Sequence, residues 1–132
     1  MSGSFADSNV LLYVPDDDIA KATIATQILA GGLTISVQVL NEIAVVMLRK
    51  WRRDWAEIDA FLSDIRGATL VRPVDEDTHD LGLAIAKEHR LHIYDSMIVA
   101  AALLANCDTL YSEDMHAGLV VRGRLTIVNP FA

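Results

Sequence analysis

Four acids widely spaced in the chain, Asp7, Glu42, Asp95 and Asp114, fall where predicted strands end or helices begin. Gathered at one rim, they would suit a hard cation such as Mg²⁺ or Mn²⁺, which prefers carboxylate oxygens to the nitrogen and sulfur of His and Cys. Mg²⁺ binds one or two carboxylates, keeps several waters and completes its shell with substrate phosphate. Each acid also has an ordinary structural use. Asp7 and Asp95 are natural helix N-caps, worth about 0.5–2 kcal/mol each. Glu42 lies opposite the apolar stripe of its helix, as a solvated residue would, and Asp114 suits a turn.

The elements that must position these acids alternate. Strand signals fall at residues 3–6, 33–36, 69–71, 109–112 and 125–128. Between them come one or two helical turns over 8–13, ended by Pro15, and a helix over 19–30 capped by Asp18 and closed by Gly31 and Gly32. Ser36 reads as the cap of a long apolar-striped stretch over 37–65, one bent helix or two. An amphipathic helix spans 75–89, and the segment 95–106, apolar on nearly every side, reads as a helix buried at the centre. Such alternation predicts an α/β fold with a mainly parallel sheet and helices on both faces, in which ligands sit outside the carboxyl ends of the strands. The 132 residues fit one domain.

Composition narrows the function. With 18 acids against 11 bases the net charge is −7, the wrong sign for a module that binds nucleic acid through a broad basic face. Neutralising four acids in a metal site leaves −3, and divalent cations supply the positive charge that draws in phosphate. The longest apolar run, 97–105, is far short of the roughly 20 residues of a membrane span, and the first residues lack a signal-peptide pattern. Cys107, the single cysteine, reads as a core residue of a cytoplasmic protein. There is no Gly-x-Ser-x-Gly elbow, phosphate-binding Gly-rich loop or His-Glu-x-x-His pair, and His89 and His92 lack companion ligands.

The residues around the acids carry a resemblance. Phe5-Ala6-Asp7-Ser8-Asn9-Val10-Leu11-Leu12-Tyr13 resembles the opening motif of PIN domains. Ser36-Val37-Gln38-Val39-Leu40-Asn41-Glu42 is similar to the second motif, and Tyr94-Asp95-Ser96-Met97-Ile98-Val99-Ala100-Ala101-Ala102 to the third. Leu110-Tyr111-Ser112-Glu113-Asp114-Met115 resembles the fourth, in the form common among VapC-like toxins, although His116, Ala117 and Gly118 follow where relatives often have Gln, His and Gly. The resemblance implies a PIN-like three-layer fold with a five-stranded sheet, and a Mg²⁺- or Mn²⁺-dependent endoribonuclease of a toxin-antitoxin pair. It implies Asp7, Asp95 and Asp114 as metal ligands, Glu42 as a further ligand or proton acceptor, and Asn9 and Ser112 as residues orienting the carboxylates. RNA, a cognate antitoxin and a second copy of the chain are the implied partners.

Two other readings fit the same class. One is a PIN-like fold that binds without catalysis. The other is a phosphate-accepting receiver, which would want an acidic pair at the end of the first strand and a lysine near the end of the last; Asp16-Asp17-Asp18 follows Pro15 instead, and the last strand has no lysine. Finally, if helix runs unbroken past Glu42, Arg49 and Arg53 share its face at about two and three turns of 3.6 residues and are candidates to track an RNA backbone.

Overall fold

The computed structural model describes residues 3–132. Strands β1 (Gly3–Ala6), β2 (Leu33–Ser36), β3 (Thr69–Arg72), β4 (Cys107–Tyr111), β5 (Val120–Val121) and β6 (Leu125–Val128) form one sheet in the order β3-β2-β1-β4-β6-β5. All neighbours are parallel except β5 and β6. A receiver-like order of 2-1-3-4-5 is therefore excluded. The sheet has one strand more than expected: β5 pairs with β6 through a turn with positive φ at both Arg122 and Gly123, closed by Arg124 N–H donating to the Val121 carbonyl at 3.1 Å. That backbone fits a type I′ hairpin turn.

Helices α1 (Ser8–Leu11), α2 (Ile19–Ala30), α3 (Val37–Val45), α4 (Trp55–Ala68), α5 (Glu76–His89) and α6 (Ile93–Leu104) connect the strands. Helix α6 supplies the centre: every residue from Ser96 to Leu103 is buried, against Phe5, Ile35, Leu110 and Ile127 of the sheet. Helix α5 packs on α6 closely enough that a Cβ on Gly82 would fall 2.5 Å from Met97 Sδ. Cys107 is buried in the core, as its type suggested, and burial pushes its thiol pKa up.

Three local expectations are corrected. Ser36 precedes α3 in the extended conformation of a cap, but its side chain makes no capping bond; its hydroxyl is buried and has no hydrogen-bond partner among the described residues. Helix α6 begins at Ile93 with His92 as its N-cap, so Asp95 lies in the first turn and is no cap. The stretch after Glu42 does not run on as one α-helix. It takes a π turn at Val46–Lys50 and stops at Trp51, with Arg52 in the left-handed region at φ 53°, so Arg53 falls in the connection to α4 and pairs with Glu57 at 3.7 Å. The face predicted to carry Glu42, Arg49 and Arg53 together does not form.

Candidate active site

The parallel strands deliver their carboxyl ends to one rim. Asp7 follows β1, and its N–H donates to the Tyr111 carbonyl at 2.9 Å, so the same ladder that pairs β1 with β4 fixes the aspartate. Its carboxylate caps α1 and faces the rim at once: Oδ1 accepts from Ser8 N–H at 2.8 Å, while Oδ2 accepts from Ser112 Oγ at 2.9 Å and Asn9 Nδ2 at 3.2 Å. The capping and functional readings of Asp7 are thus compatible.

Asn9 joins both ends of the site. Its Oδ1 accepts Glu113 N–H at 3.0 Å, which turns its amide NH₂ toward Asp7 and toward Asp114 Oδ2 at 3.2 Å. Ser112, fully buried, donates to Asp7 and accepts Met115 N–H at 3.3 Å. Both residues donate hydrogen bonds to carboxylates of the cleft. Glu42 reaches the cluster from α3: Oε1 accepts from Ser8 Oγ at 2.8 Å and Oε2 from Gln38 Nε2 at 3.0 Å. Gln38 also donates to the Tyr94 carbonyl at 2.9 Å, tying α3 to the start of α6 beside Asp95. Asp95 is half-buried; Asp114 is exposed at the lip.

All four acids line one cleft of about 420 Å³. Two of them, Asp7 and Asp95, are held toward the protonated form. Burial raises Asp7 to about 6 against the pull of Ser112, with Glu42 and Asp95 adding to the rise. Burial likewise raises Asp95, reinforced by Glu42 and Asp114 and opposed by His92. Among the described residues, no three His, Cys, Asp or Glu side chains close around one point as they stand. Hydroxyl and amide donors lie between them instead. The donor set is all oxygen, and among the described residues none of the four carboxylates makes an ion pair, which fits a hard divalent cation that keeps part of its water.

Several cleft residues escaped the sequence reading. Glu113 lies beside Asp114 but faces another group: it accepts from Tyr13 Oη at 2.6 Å and pairs with Lys21 at 2.8 Å. Burial would raise Glu113, but the bonds from Lys21 and Tyr13 prevail and hold it below its ordinary value. Lys50 and Trp51 also line the cleft, whereas Arg49 and Arg53 do not. The i, i+4 spacing of Gln38 and Glu42 was readable; the π turn that delivers Lys50 and Trp51 was not, since the apolar spacing across it stays helical.

A family model for the PIN domain matches residues 4–118. A search of curated proteins returns no match. Among solved structures, a chain of a toxin-antitoxin complex from Klebsiella pneumoniae is similar at TM-score 0.70 and 19% identity, over 96% of this chain and 97% of that one. The VapC20 toxin of Mycobacterium tuberculosis, described as sarcin-ricin loop cleaving, aligns at TM-score 0.67 and 17% identity over 84% and 89%. A chain of FitAB bound to an IR36 DNA fragment aligns at TM-score 0.65 and 16% identity over 98% and 96%. The likeness to these structures is one of fold, and with the family match over most of its length the chain belongs to the PIN domain family.

Proposed function

We propose that the protein is a divalent-metal-dependent endoribonuclease, the VapC-like toxin of a toxin-antitoxin pair, with Mg²⁺ or Mn²⁺ held by Asp7, Glu42, Asp95 and Asp114. The observation that carries this reading is a buried aspartate, 4% exposed, in one cleft with Glu42, Asp95 and Asp114, where burial and the charges of Glu42 and Asp95 raise its pKa. When bound, the cation supplies a Lewis acid for the phosphate and a nucleophile at neutral pH. The protein's own part is positioning. Asn9 and Ser112 fix Asp7 and Asp114, and Ser8 and Gln38 fix Glu42, which is the group assigned to take the proton of the attacking water. No covalent enzyme intermediate is needed.

The partners in this reading are RNA as substrate, a cognate antitoxin and a second copy of the chain, in the cytoplasm. Likeness to a chain of a toxin-antitoxin complex supports the antitoxin. Among the described residues no helix is long and apolar enough to cross a membrane. Titrating Mg²⁺ or Mn²⁺ into chelator-treated protein with end-labelled RNA tests the function. Metal-dependent scission is the expected result; binding without scission at any metal concentration identifies a non-catalytic subunit instead.

A further inference from the structure

Substrate must enter a cleft whose acids repel phosphate, so the groups that receive it lie beside the acids. Of the cleft's lining residues, Lys50 is the only one that is cationic, and among the described residues it makes no ion pair. Two aromatic rings line the same cleft, Tyr13 and Trp51. Tyr13 is committed: its hydroxyl donates to Glu113, its ring meets Phe131 edge-on at 4.8 Å, and Lys21 lies 4.6 Å from its centroid. Among the described residues Trp51 makes no ring-ring, cation-ring or side-chain hydrogen-bond contact of this kind. It also borders an adjoining hollow of about 300 Å³ lined by Asp16, Asp17 and Arg53, and so stands as a wall between two depressions.

The backbone is built to present it. Trp51 N–H donates to the Val46 carbonyl at 3.0 Å, closing the π turn, and Arg52 beside it adopts a left-handed conformation that non-glycine residues rarely take. π turns and strained residues of this kind concentrate at functional sites. We propose that Trp51 is the platform on which an unstacked base of single-stranded RNA lies, with Lys50 holding the neighbouring phosphate. Duplex RNA buries its bases in the stack and has none to offer a ring. Arg53 is not assigned a phosphate, because it lies outside the cleft and Glu57 already pairs with it.

This inference rests on the reading of the cleft as an RNA-cleaving site. Its test measures kcat and KM for scission of a single-stranded RNA in Mn²⁺, with Trp51→Leu, Trp51→Phe and Lys50→Gln. Trp51→Leu should raise KM about 5- to 150-fold, the loss that follows removal of one stacked base, with a smaller effect for Trp51→Phe. Lys50→Gln should flatten the log-log salt dependence of binding by about 0.7. Trp51 packs in part on the core, so the same loss is also read on unaltered protein. RNA made abasic at successive positions should lose affinity at one of them, and Trp51→Leu should lose no more there. Unchanged KM in folded variants, or an abasic penalty undiminished in Trp51→Leu, overturns the proposal while leaving metal-dependent scission intact. Trp55→Phe leaves Trp51 as the sole tryptophan. If RNA quenches that fluorescence in Mg²⁺ without scission, the platform stands and the nuclease reading falls; no quenching and no scission overturns both.

Discussion

Replacing Asp7 by Asn removes one charge at nearly constant volume, and the structure gives its effect a sign that depends on pH. In the metal-free protein Asp7 stands at about 6 against 3.8 for an unperturbed aspartate, first because it is buried and then because Glu42 and Asp95 repel its charge. A folded state that binds its proton more tightly than the unfolded chain is favoured below the unfolded pKa and loses that advantage as pH rises through the folded pKa. The window runs from about pH 4 to about pH 6. At about 1.4 kcal/mol per tenfold change in proton affinity, ionising Asp7 weakens the metal-free fold by about 3 kcal/mol by neutral pH. The amide escapes that cost but turns an NH₂ toward Asn9 and Ser112 where a carboxylate oxygen accepted from both. One or two bonds are lost, at about 1 kcal/mol each. Asp7→Asn in chelator is therefore expected to be more stable than the parent by about 1–2 kcal/mol at pH 7–8, and less stable by a similar amount below pH 4. Urea unfolding of both proteins from pH 3.5 to 8 reads the difference directly and cancels the opposing titrations of Asp75 and Glu113. A difference that is constant across this range would refute the reasoning.

Other perturbations reach different parts of the account. A hundredfold excess of Mn²⁺ over Kd should stabilise the parent by about 2.7 kcal/mol, and Asp114→Asn clearly less; equal shifts in melting temperature would remove Asp114 from the site. Gly82→Val should cost about 1–3 kcal/mol by forcing Met97 out of its packed position, and an unchanged melting temperature would contradict the close approach of α5 to α6. Lys21→Met should lower the melting temperature at neutral pH, where Glu113 is ionised and paired. That loss should fade as pH falls through the depressed pKa of Glu113, and a loss that persists in acid would mean Lys21 acts through packing alone.

Much of the site was legible because local chemistry and global placement agree there. Asp7 had to follow an apolar strand, and Asp114 had to follow the strand that pairs with it, so a parallel sheet brought both to one rim. Asn9 and Ser112 carry hydrogen-bonding groups short enough to reach only near neighbours, and both reach Asp7. What stayed hidden depends on backbone geometry that side-chain patterns do not encode. The apolar positions Ile43, Met47 and Trp51 keep helical spacing across a π turn, so nothing in them revealed that Arg53 would swing away and Lys50 turn in. Strand β5 is two residues long and is recognisable only once the Arg122-Gly123 turn folds it onto β6. Ser36 has the residue type and backbone of a cap yet no capping bond. Helix α6 starts two residues before Asp95 because His92 adopts the extended cap conformation without any side-chain bond to mark it.

The central claim is that four carboxylates form one divalent-cation site that cuts RNA. Calorimetric Mn²⁺ binding measured beside single-turnover RNA scission, on the parent and on Asp7→Asn, Glu42→Gln, Asp95→Asn and Asp114→Asn, tests it most directly. The account predicts that each folded variant binds Mn²⁺ more weakly than the parent and loses scission together with it, and that chelator abolishes scission by the parent. Scission by purified parent protein in excess chelator, with contaminating nuclease excluded, or Mn²⁺ affinity unaltered in all four variants, would contradict it.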